Sequence, residues 1–131
     1  MGATDLSSYF RRSSGPGWAL PGDAGHFKDP ITAQGIRDAL RFGRLLAEHT
    51  ASSLDDPARL DAALTGWERR RDDECWETYE WTNWVARAAP VGPADVALHT
   101  HFADPAHSHQ LLDLHSRLLT PSQVFATLPH G

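Results

Sequence analysis

The chain has 131 residues, of which 40% are hydrophobic and 22% charged, and its formal net charge at pH 7 is -5. This length and composition suit one globular domain with a modest core rather than a disordered chain. Since no dense basic stretch occurs, the acidic balance disfavours nucleic acid and anionic membrane surfaces as partners. Cys75 is the only cysteine, which excludes an internal disulfide and favours a reducing compartment. With no signal peptide and no apolar stretch of membrane-spanning length, we expect a cytoplasmic protein.

The first element in chain order is expected to be short and extended. Residues 1–16 are polar, with Tyr9 and Phe10 as the only large apolar pair, and they lead into a turn at residues 15–17. Residues 18–20 form a short apolar run that Pro21 stops. This pattern predicts a brief strand at a sheet edge or a strand end, because proline lacks the backbone donor of a strand ladder.

Helical patterns dominate the rest of the chain. Thr32 is the predicted N-cap of a first helix, whose apolar positions continue to Ala47 and which ends near residues 52–53. A longer second helix is predicted to start at Asp56-Pro57 and to end at residues 90–93. A third helix is predicted from Asp104-Pro105 and a last short one from residues 120–122. The predicted fold class is therefore mainly α, with a short extended segment followed by three to four helices.

The second predicted helix has a buried seam and several aromatic residues. The seam consists of Leu60, Leu64, Trp67, Arg71, Cys75, Thr78 and Val85. The aromatic residues at positions 67, 76, 79, 81 and 84 would pack in the core, wall a substrate pocket, or form an exposed adhesive surface. Cys75 is expected to be buried rather than reactive. The run of arginines at residues 69–71 is balanced by neighbouring acids, which favours a solvated face over an anion site.

Two pairs of histidines raise the question of a metal site. His99 and His101 are two residues apart, as are His107 and His109. Histidines at that spacing do not share a helix face, and Cys75 is remote in sequence. We therefore predict no metal site and interpret these residues as surface or loop histidines.

The most informative stretch spans residues 17–36 and reads GWALPGDAGHFKDPITAQGI. An apolar run leads into Gly-Asp-Ala-Gly-His, and a proline then precedes an Ala-Gln-Gly turn into a helix. The stretch resembles the Gly-Asp motif of FAD-dependent monooxygenases with the para-hydroxybenzoate hydroxylase-like fold, which are allied to flavin halogenases and geranylgeranyl reductases. Looser likenesses follow at residues 67–72 and 119–122. The resemblance implies that the chain is the C-terminal part of an α/β flavoprotein with a Rossmann-like FAD-binding fold.

Three residues of this stretch are candidates for direct contact with the cofactor. Gly22 would let the backbone approach a ligand, because glycine has no side chain in the way. Asp23 can accept hydrogen bonds from sugar-alcohol hydroxyls, and in the resembled family this carboxylate binds the ribityl chain of FAD. Pro30 offers a rigid surface without a donor, which in the family lies beside the isoalloxazine ring.

The start of the following helix completes the predicted site. The first amides, at Ala33, Gln34, Gly35 and Ile36, have no intrahelical partner. Pointed at the N1 and O2 region of the flavin, they and the helix dipole would stabilise the negative charge of the reduced ring. His26 is expected to have a packing or positioning role rather than to transfer protons. The sequence identifies no catalytic residue.

The resemblance also implies cofactors, substrates and a partner. FAD would be the cofactor, NAD(P)H a co-substrate and a small organic molecule the substrate, while hydroxylation, halogenation and reduction all remain open. The sequence contains no Gly-x-Gly-x-x-Gly turn of the kind that binds the ADP half of FAD. We therefore expect the chain alone to be inactive and to bind FAD weakly or not at all. An upstream-encoded N-terminal polypeptide would complete it.

This interpretation divides the chain into two regions. Residues 1–54 would form a partial FAD-binding region, and residues 55–131 a C-terminal helical region. A non-catalytic helical interaction module, or a degenerate fragment of such an enzyme, is the alternative from a different functional class.

Overall fold

A computed structural model of the protein describes residues 7–87 and 89–128. Within these residues the chain is mainly helical, which confirms the mainly α prediction, but it has five α-helices where the sequence predicts three to four. The α-helices are α1 (Gly35–Thr50), α2 (Pro57–Ala86), α3 (Pro93–Ala103), α4 (His109–His115) and α5 (Pro121–Phe125). None of the helices in the described part of the chain combines the length and the hydrophobicity needed to cross a bilayer.

Short antiparallel strands precede the helices. They are β1 (Tyr9–Phe10), β2 (Ser14–Gly15), β3 (Trp18–Ala19) and β4 (His26–Phe27), with β1 paired to β4 and β2 paired to β3. Gly17 lies in the turn between β2 and β3 at a φ of 74°, a conformation that glycine adopts without steric cost. The predicted turn and the predicted brief strand are thus confirmed, whereas β4 was not predicted.

Helix α1 begins two residues later than predicted, with Gln34 rather than Thr32 at the N-cap position. Thr32 does not cap it, because Ala33 has a φ of 54° and interrupts the helical backbone between Thr32 and Gly35. Residues 30–32 instead form a 3₁₀ turn, in which the Asp29 carboxylate accepts the Ile31 amide at 2.9 Å. The Thr32 hydroxyl is buried and lies 2.8 Å from the hydroxyl of Thr82. Thr32 therefore joins this turn to α2 rather than starting α1.

Helix α2 starts at the predicted residue, but the helices that follow it begin at other residues than predicted. The Asp56 carboxylate caps α2 by accepting the amides of Ala58 and Arg59. The sequence predicts only the end of a helix at residues 90–93, whereas α2 already ends at Ala86 and a further helix, α3, begins at Pro93. The helix predicted from residues 104–105 begins instead at His109, since Asp104 caps a turn through the Ala106 amide.

Two core clusters include residues at different points along α2. The first contains Phe42, Leu45, Trp67 and Cys75, and the second contains Trp81, Leu114 and Val124. The indole nitrogen of Trp67 donates to the Phe42 carbonyl at 2.9 Å, which satisfies its only donor inside the core. Helix α2 therefore connects α1 to the C-terminal helices, and the first cluster joins residues on both sides of position 55.

The seam of α2 is buried at five of its seven predicted positions, and the aromatic residues divide between core and surface. Leu60 and Val85 are only half-buried. Trp67 and Trp81 are buried, while the Trp76 side chain is 48% exposed. Trp67 and Trp81 therefore pack in the core, whereas Trp76 lies largely at the surface.

Arg71 corrects the interpretation of the arginine run as a solvated face. Its side chain is fully buried, and it donates to the Ser13 hydroxyl and to the Arg11 carbonyl. Arg70, by contrast, is exposed and pairs with Glu74 at 2.6 Å. The guanidinium can be buried because the neighbouring Asp72 carboxylate pairs with its charge, and the hydroxyl and carbonyl acceptors near β2 accept its other donors.

Candidate functional site

The Gly-Asp segment follows β3 as a 3₁₀ turn over Gly22–Ala24. Gly22 is buried at a φ of 61°, which lies in the left-handed region that L-residues avoid. A Cβ atom at this position would lie 3.1 Å from the Cβ of Ala39 on α1. Both the backbone conformation and the close approach to α1 therefore require glycine here.

Asp23 lies beside the first residue of α1. Its side chain is exposed, and its Oδ1 atom is 3.7 Å from the position that a Cβ on Gly35 would take. Its carbonyl oxygen accepts the Tyr9 hydroxyl at 2.5 Å, which ties the turn to β1. The turn thus holds an exposed carboxylate at the start of a helix, and Gly35 leaves the space between them open.

The start of α1 presents amide donors that the described part of the chain does not use. No hydrogen bond from the amides of Gly35, Ile36 or Arg37 to any described residue occurs, as expected for the first turn of a helix. The Ala33 amide is different, since it donates to the Pro30 carbonyl at 2.9 Å. The Ala33 amide is therefore not available to a ligand, whereas the amides of Gly35, Ile36 and Arg37 are. These three lie at the positive end of the α1 dipole.

The side chain of Gln34 is buried and makes hydrogen bonds within the protein. It is 3% exposed, and its amide nitrogen donates to the carbonyls of Thr32 at 3.2 Å and His115 at 2.8 Å. Its amide oxygen accepts from Arg117 at 2.9 Å. Since both ends of the side chain are engaged inside the protein, only the backbone of Gln34 is left for a ligand.

An exposed apolar surface surrounds this opening. Pro30, Ala33 and Gly35 are exposed, and the side chain of Ile36 is 80% exposed. Leu40, one turn further along α1, is 72% exposed. Helix α1 therefore has two apolar faces, of which one packs on α2 and the other is left uncovered within the described part of the chain.

A buried charge cluster lies beneath the start of α1, and sequence reasoning did not find it. Asp38 is 1% exposed, and its Oδ2 atom lies 2.5 Å from Lys28 Nζ and 3.3 Å from His26 Nε2. Arg117 Nη2 lies 2.7 Å from the other carboxylate oxygen. The alternation of His26 and Lys28 about β4 could have indicated a shared strand face, but the partnership with Arg117 has no local sequence signal.

The cluster shifts the pKa values of its members. Burial would raise the pKa of Asp38, but the His26 hydrogen bond and the charges of Arg117 and Lys28 outweigh it, so the pKa falls well below its usual range. Burial lowers the pKa of His26 despite its hydrogen bond to Asp38. Asp38 is therefore a stable carboxylate that holds two cations in the interior.

Cys75 completes the cluster without acting as a nucleophile. Its Sγ lies 3.3 Å from His26 Nε2, the same nitrogen that faces Asp38. A catalytic arrangement would need the carboxylate on the other ring nitrogen, Nδ1, which has no hydrogen-bond partner among the described residues. Burial, followed by the Asp38 charge, raises the pKa of the thiol to about 11. The predicted burial of Cys75 is thus confirmed.

The same three residues have the ligand types of a metal site. The candidate ligand atoms of His26, Asp38 and Cys75 lie within 4.8 Å of one another. However, Lys28 and Arg117 already occupy the carboxylate and would repel a metal cation. The arrangement is better described as an ion-pair cluster that fixes β4, α1 and the turn after α4 in place.

The opening between Asp23 and Ile36 can offer a ligand a carboxylate acceptor, free amides and an apolar surface. These groups suit a molecule with hydroxyl donors at one end and a polarisable or anionic ring at the other. The chain matches no protein-family model, no curated protein and no solved structure.

Proposed function

We propose that this chain is the flavin-contacting, C-terminal part of an FAD-dependent oxidoreductase, most similar to NAD(P)H-dependent monooxygenases. The observation that carries the proposal is the position of the Asp23 carboxylate beside Gly35, at the open start of α1. A carboxylate and a row of free amides are within reach of one ligand there. The α/β flavoprotein origin of the chain is part of the same proposal.

The residues of the opening fit the ribityl and ring half of FAD. Asp23 would accept hydrogen bonds from the ribityl hydroxyls, and the exposed Pro30 would support one face of the ring. The amides of Gly35 and Ile36 would lie near the N1 and O2 side, where the positive end of the α1 dipole favours negative charge. When bound, FAD supplies the redox chemistry, and the protein orients the ring and tunes its charge.

The uncovered apolar face of α1 is the surface on which we propose that a partner polypeptide binds. Ile36 and Leu40 are largely exposed, and Ile31 in the preceding turn is 56% exposed. Burial of one such side chain stabilises a complex by about 1.5–3 kcal/mol. In the proposal, a polypeptide with the dinucleotide-binding turn covers this face and holds the ADP half of FAD, while the small organic substrate reaches the ring from the other side.

Co-production of this chain with a polypeptide that contains the dinucleotide-binding turn of a related flavoprotein tests the proposal. We expect a complex purified through a tag on this chain to carry flavin and to oxidise NAD(P)H. Asp23→Asn should lower the flavin content of the complex. Asp55→Asn is the matched control, because Asp55 is exposed in the turn between α1 and α2, beyond the end of α1 that lies opposite the opening.

The uncovered apolar face also favours a second candidate function. A non-catalytic helical interaction module would use Ile36 and Leu40 to bind a partner without any cofactor. The same experiment separates the two functions. A stable complex without flavin, unaffected by Asp23→Asn, would support the module and overturn the flavin proposal.

A further inference from the structure

A cavity lies beside the turn at residues 30–32, of which Ile31 and Thr32 line it. Its volume is about 570 Å³, and it opens between the end of α2, α3 and α4. Cavities that hold small organic ligands usually have volumes of about 300–1,000 Å³. Aromatic and aliphatic side chains dominate its lining, among them Ile31, Trp81, Trp84, Leu98, Phe102 and Leu114.

Two histidines of the lining, His99 and His115, have one ring nitrogen engaged with the backbone and the other without a hydrogen-bond partner among the described residues. The Nδ1 atom of His99 lies 2.7 Å from the Asp95 carbonyl, and that of His115 lies 2.8 Å from the Leu111 carbonyl. Because a carbonyl oxygen only accepts, both Nδ1 atoms donate, and in the neutral rings both Nε2 atoms are acceptors. Neither Nε2 atom has a hydrogen-bond partner among the described residues.

The charged groups of the lining are already engaged. The Asp95 carboxylate accepts the Gly92 amide at 2.7 Å and so caps α3. Arg87 donates to the Trp84 carbonyl at 3.3 Å and lies over the indole ring, 5.8 Å from its centre. Neither contact pairs these residues with an opposite charge, but the lining holds one carboxylate and one guanidinium, whose formal charges cancel, so a neutral ligand is the better match.

We infer that this cavity binds a neutral, largely apolar small molecule that carries a hydroxyl group. The apolar walls accommodate the body of the ligand, and the hydroxyl donates to Nε2 of His99 or His115. Ile31 and Thr32 line the cavity and belong to the turn that the proposed function places beside the flavin ring. That this ligand is the substrate rests on the proposed function, whereas its binding to the chain does not.

Calorimetric titration of the chain without FAD tests the inference. The probe is 1-adamantanol, an apolar cage with one hydroxyl, and we expect saturable binding at one site. Its methyl ether, 1-methoxyadamantane, lacks the donor and should bind about three- to tenfold more weakly, as expected for one hydrogen bond. Adamantane-1-carboxylate should bind more weakly still. Tighter binding of the carboxylate, or no binding of the alcohol, would overturn the inference.

Two neighbouring leucines provide a matched pair of variants. Leu111 lines the cavity and is 38% exposed, whereas Leu112 does not line it and is 73% exposed. Leu111→Trp should fill the space and abolish binding of 1-adamantanol, while Leu112→Trp should bind as the wild type does. Circular dichroism checks that both variants are folded. Equal binding by the two variants would place the ligand elsewhere.

The histidines are tested by their effect on selectivity. Replacing both His99 and His115 by Phe retains ring-shaped walls but removes the acceptors. The variant should bind 1-adamantanol and its methyl ether with nearly equal affinity. Persistence of the wild-type preference would refute the role of the histidines. Since no flavin is present in these titrations, their failure would be distinguishable from a failure of the proposed function.

Discussion

Arg117, in the turn after α4, places its Nη2 atom 2.7 Å from the Oδ1 atom of Asp38 in the first turn of α1. The backbone of Arg117 has a φ of 57°, in the left-handed region, where an L-residue is strained. The contact joins residues that are 79 positions apart in the chain. Together with Lys28, it makes Asp38 the point at which β4, α1 and the C-terminal helices meet.

Asp38→Asn should destabilise the protein strongly. The substitution leaves the buried ammonium of Lys28 and the nearly buried guanidinium of Arg117 without their counter-charge. Removal of one partner from a buried ion pair typically costs about 3–5 kcal/mol. Chemical denaturation measures the loss, and the exposed Asp73→Asn is the control, with an expected change within about 0.5 kcal/mol. A similar small change for both variants would show that the cluster does not stabilise the fold.

The same cluster should make stability depend on acid pH. His26 has a lowered pKa in the folded state, so below its ordinary value of 6.5 the unfolded chain binds a proton that the folded chain does not. Stability is therefore fully present above pH 6.5 and falls as the pH decreases. Asp38 adds a second loss below its ordinary value of 3.8, for the same reason.

Denaturation of wild type and His26→Gln over a range of pH measures this effect. Below pH 6.5 the free energy of unfolding of the wild type should fall more steeply than that of the variant. His99→Gln retains the buried histidine and should follow the wild type. Parallel curves for wild type and His26→Gln would contradict the expectation.

Cys75 should be inert in the folded protein. The thiol is fully buried, and its raised pKa keeps it protonated at neutral pH. Alkylation by iodoacetamide should therefore require unfolding, and its rate should rise with denaturant together with the unfolded fraction. Rapid modification of the native protein would contradict this.

The same thiol should affect stability at alkaline pH. A raised pKa contributes stability that is present below the unfolded value of 9.0 and is lost as the pH rises through about 11. Between these values the wild type should lose more stability than Cys75→Ala, as measured by denaturation. Equal slopes for the two proteins would show that the thiolate is not disfavoured in the fold.

Local chemistry predicted part of this fold. The Asp56 cap and the buried positions of α2, such as Trp67 and Cys75, follow from spacing along one helix, and the structure has them. Helix α3 was missed because Pro93 was interpreted as ending a helix, although proline starts one equally well in the first turn. The start of α1 was misplaced because the left-handed conformation of Ala33 has no signature in an alanine side chain.

The candidate site was predictable only where residues adjoin in sequence. Residues 22–36 supplied Gly22, Asp23 and Gly35, and the structure brings the last two together. The roles of Gln34 and Asp38 depend on Arg117, which approaches from a distant turn through tertiary packing. Patterns of periodicity and capping describe neighbours within about one helical turn, so they do not predict such a contact.

Replacement by alanine should change the stability of the protein in opposite directions at Gly22, in the turn before Asp23, and at Gly43, within α1. Gly22→Ala should destabilise the protein by about 1–3 kcal/mol, because it forces an L-residue to a φ of 61° and places a Cβ 3.1 Å from that of Ala39. Gly43→Ala, in the interior of α1, meets nothing within 4 Å and should stabilise by about 0.5–1 kcal/mol, because alanine loses less backbone entropy. Thermal and chemical denaturation of both variants checks the signs. If Gly22→Ala were as stable as the wild type, the turn before Asp23 would not be held against α1, and the position of the carboxylate at the opening would lose its structural basis.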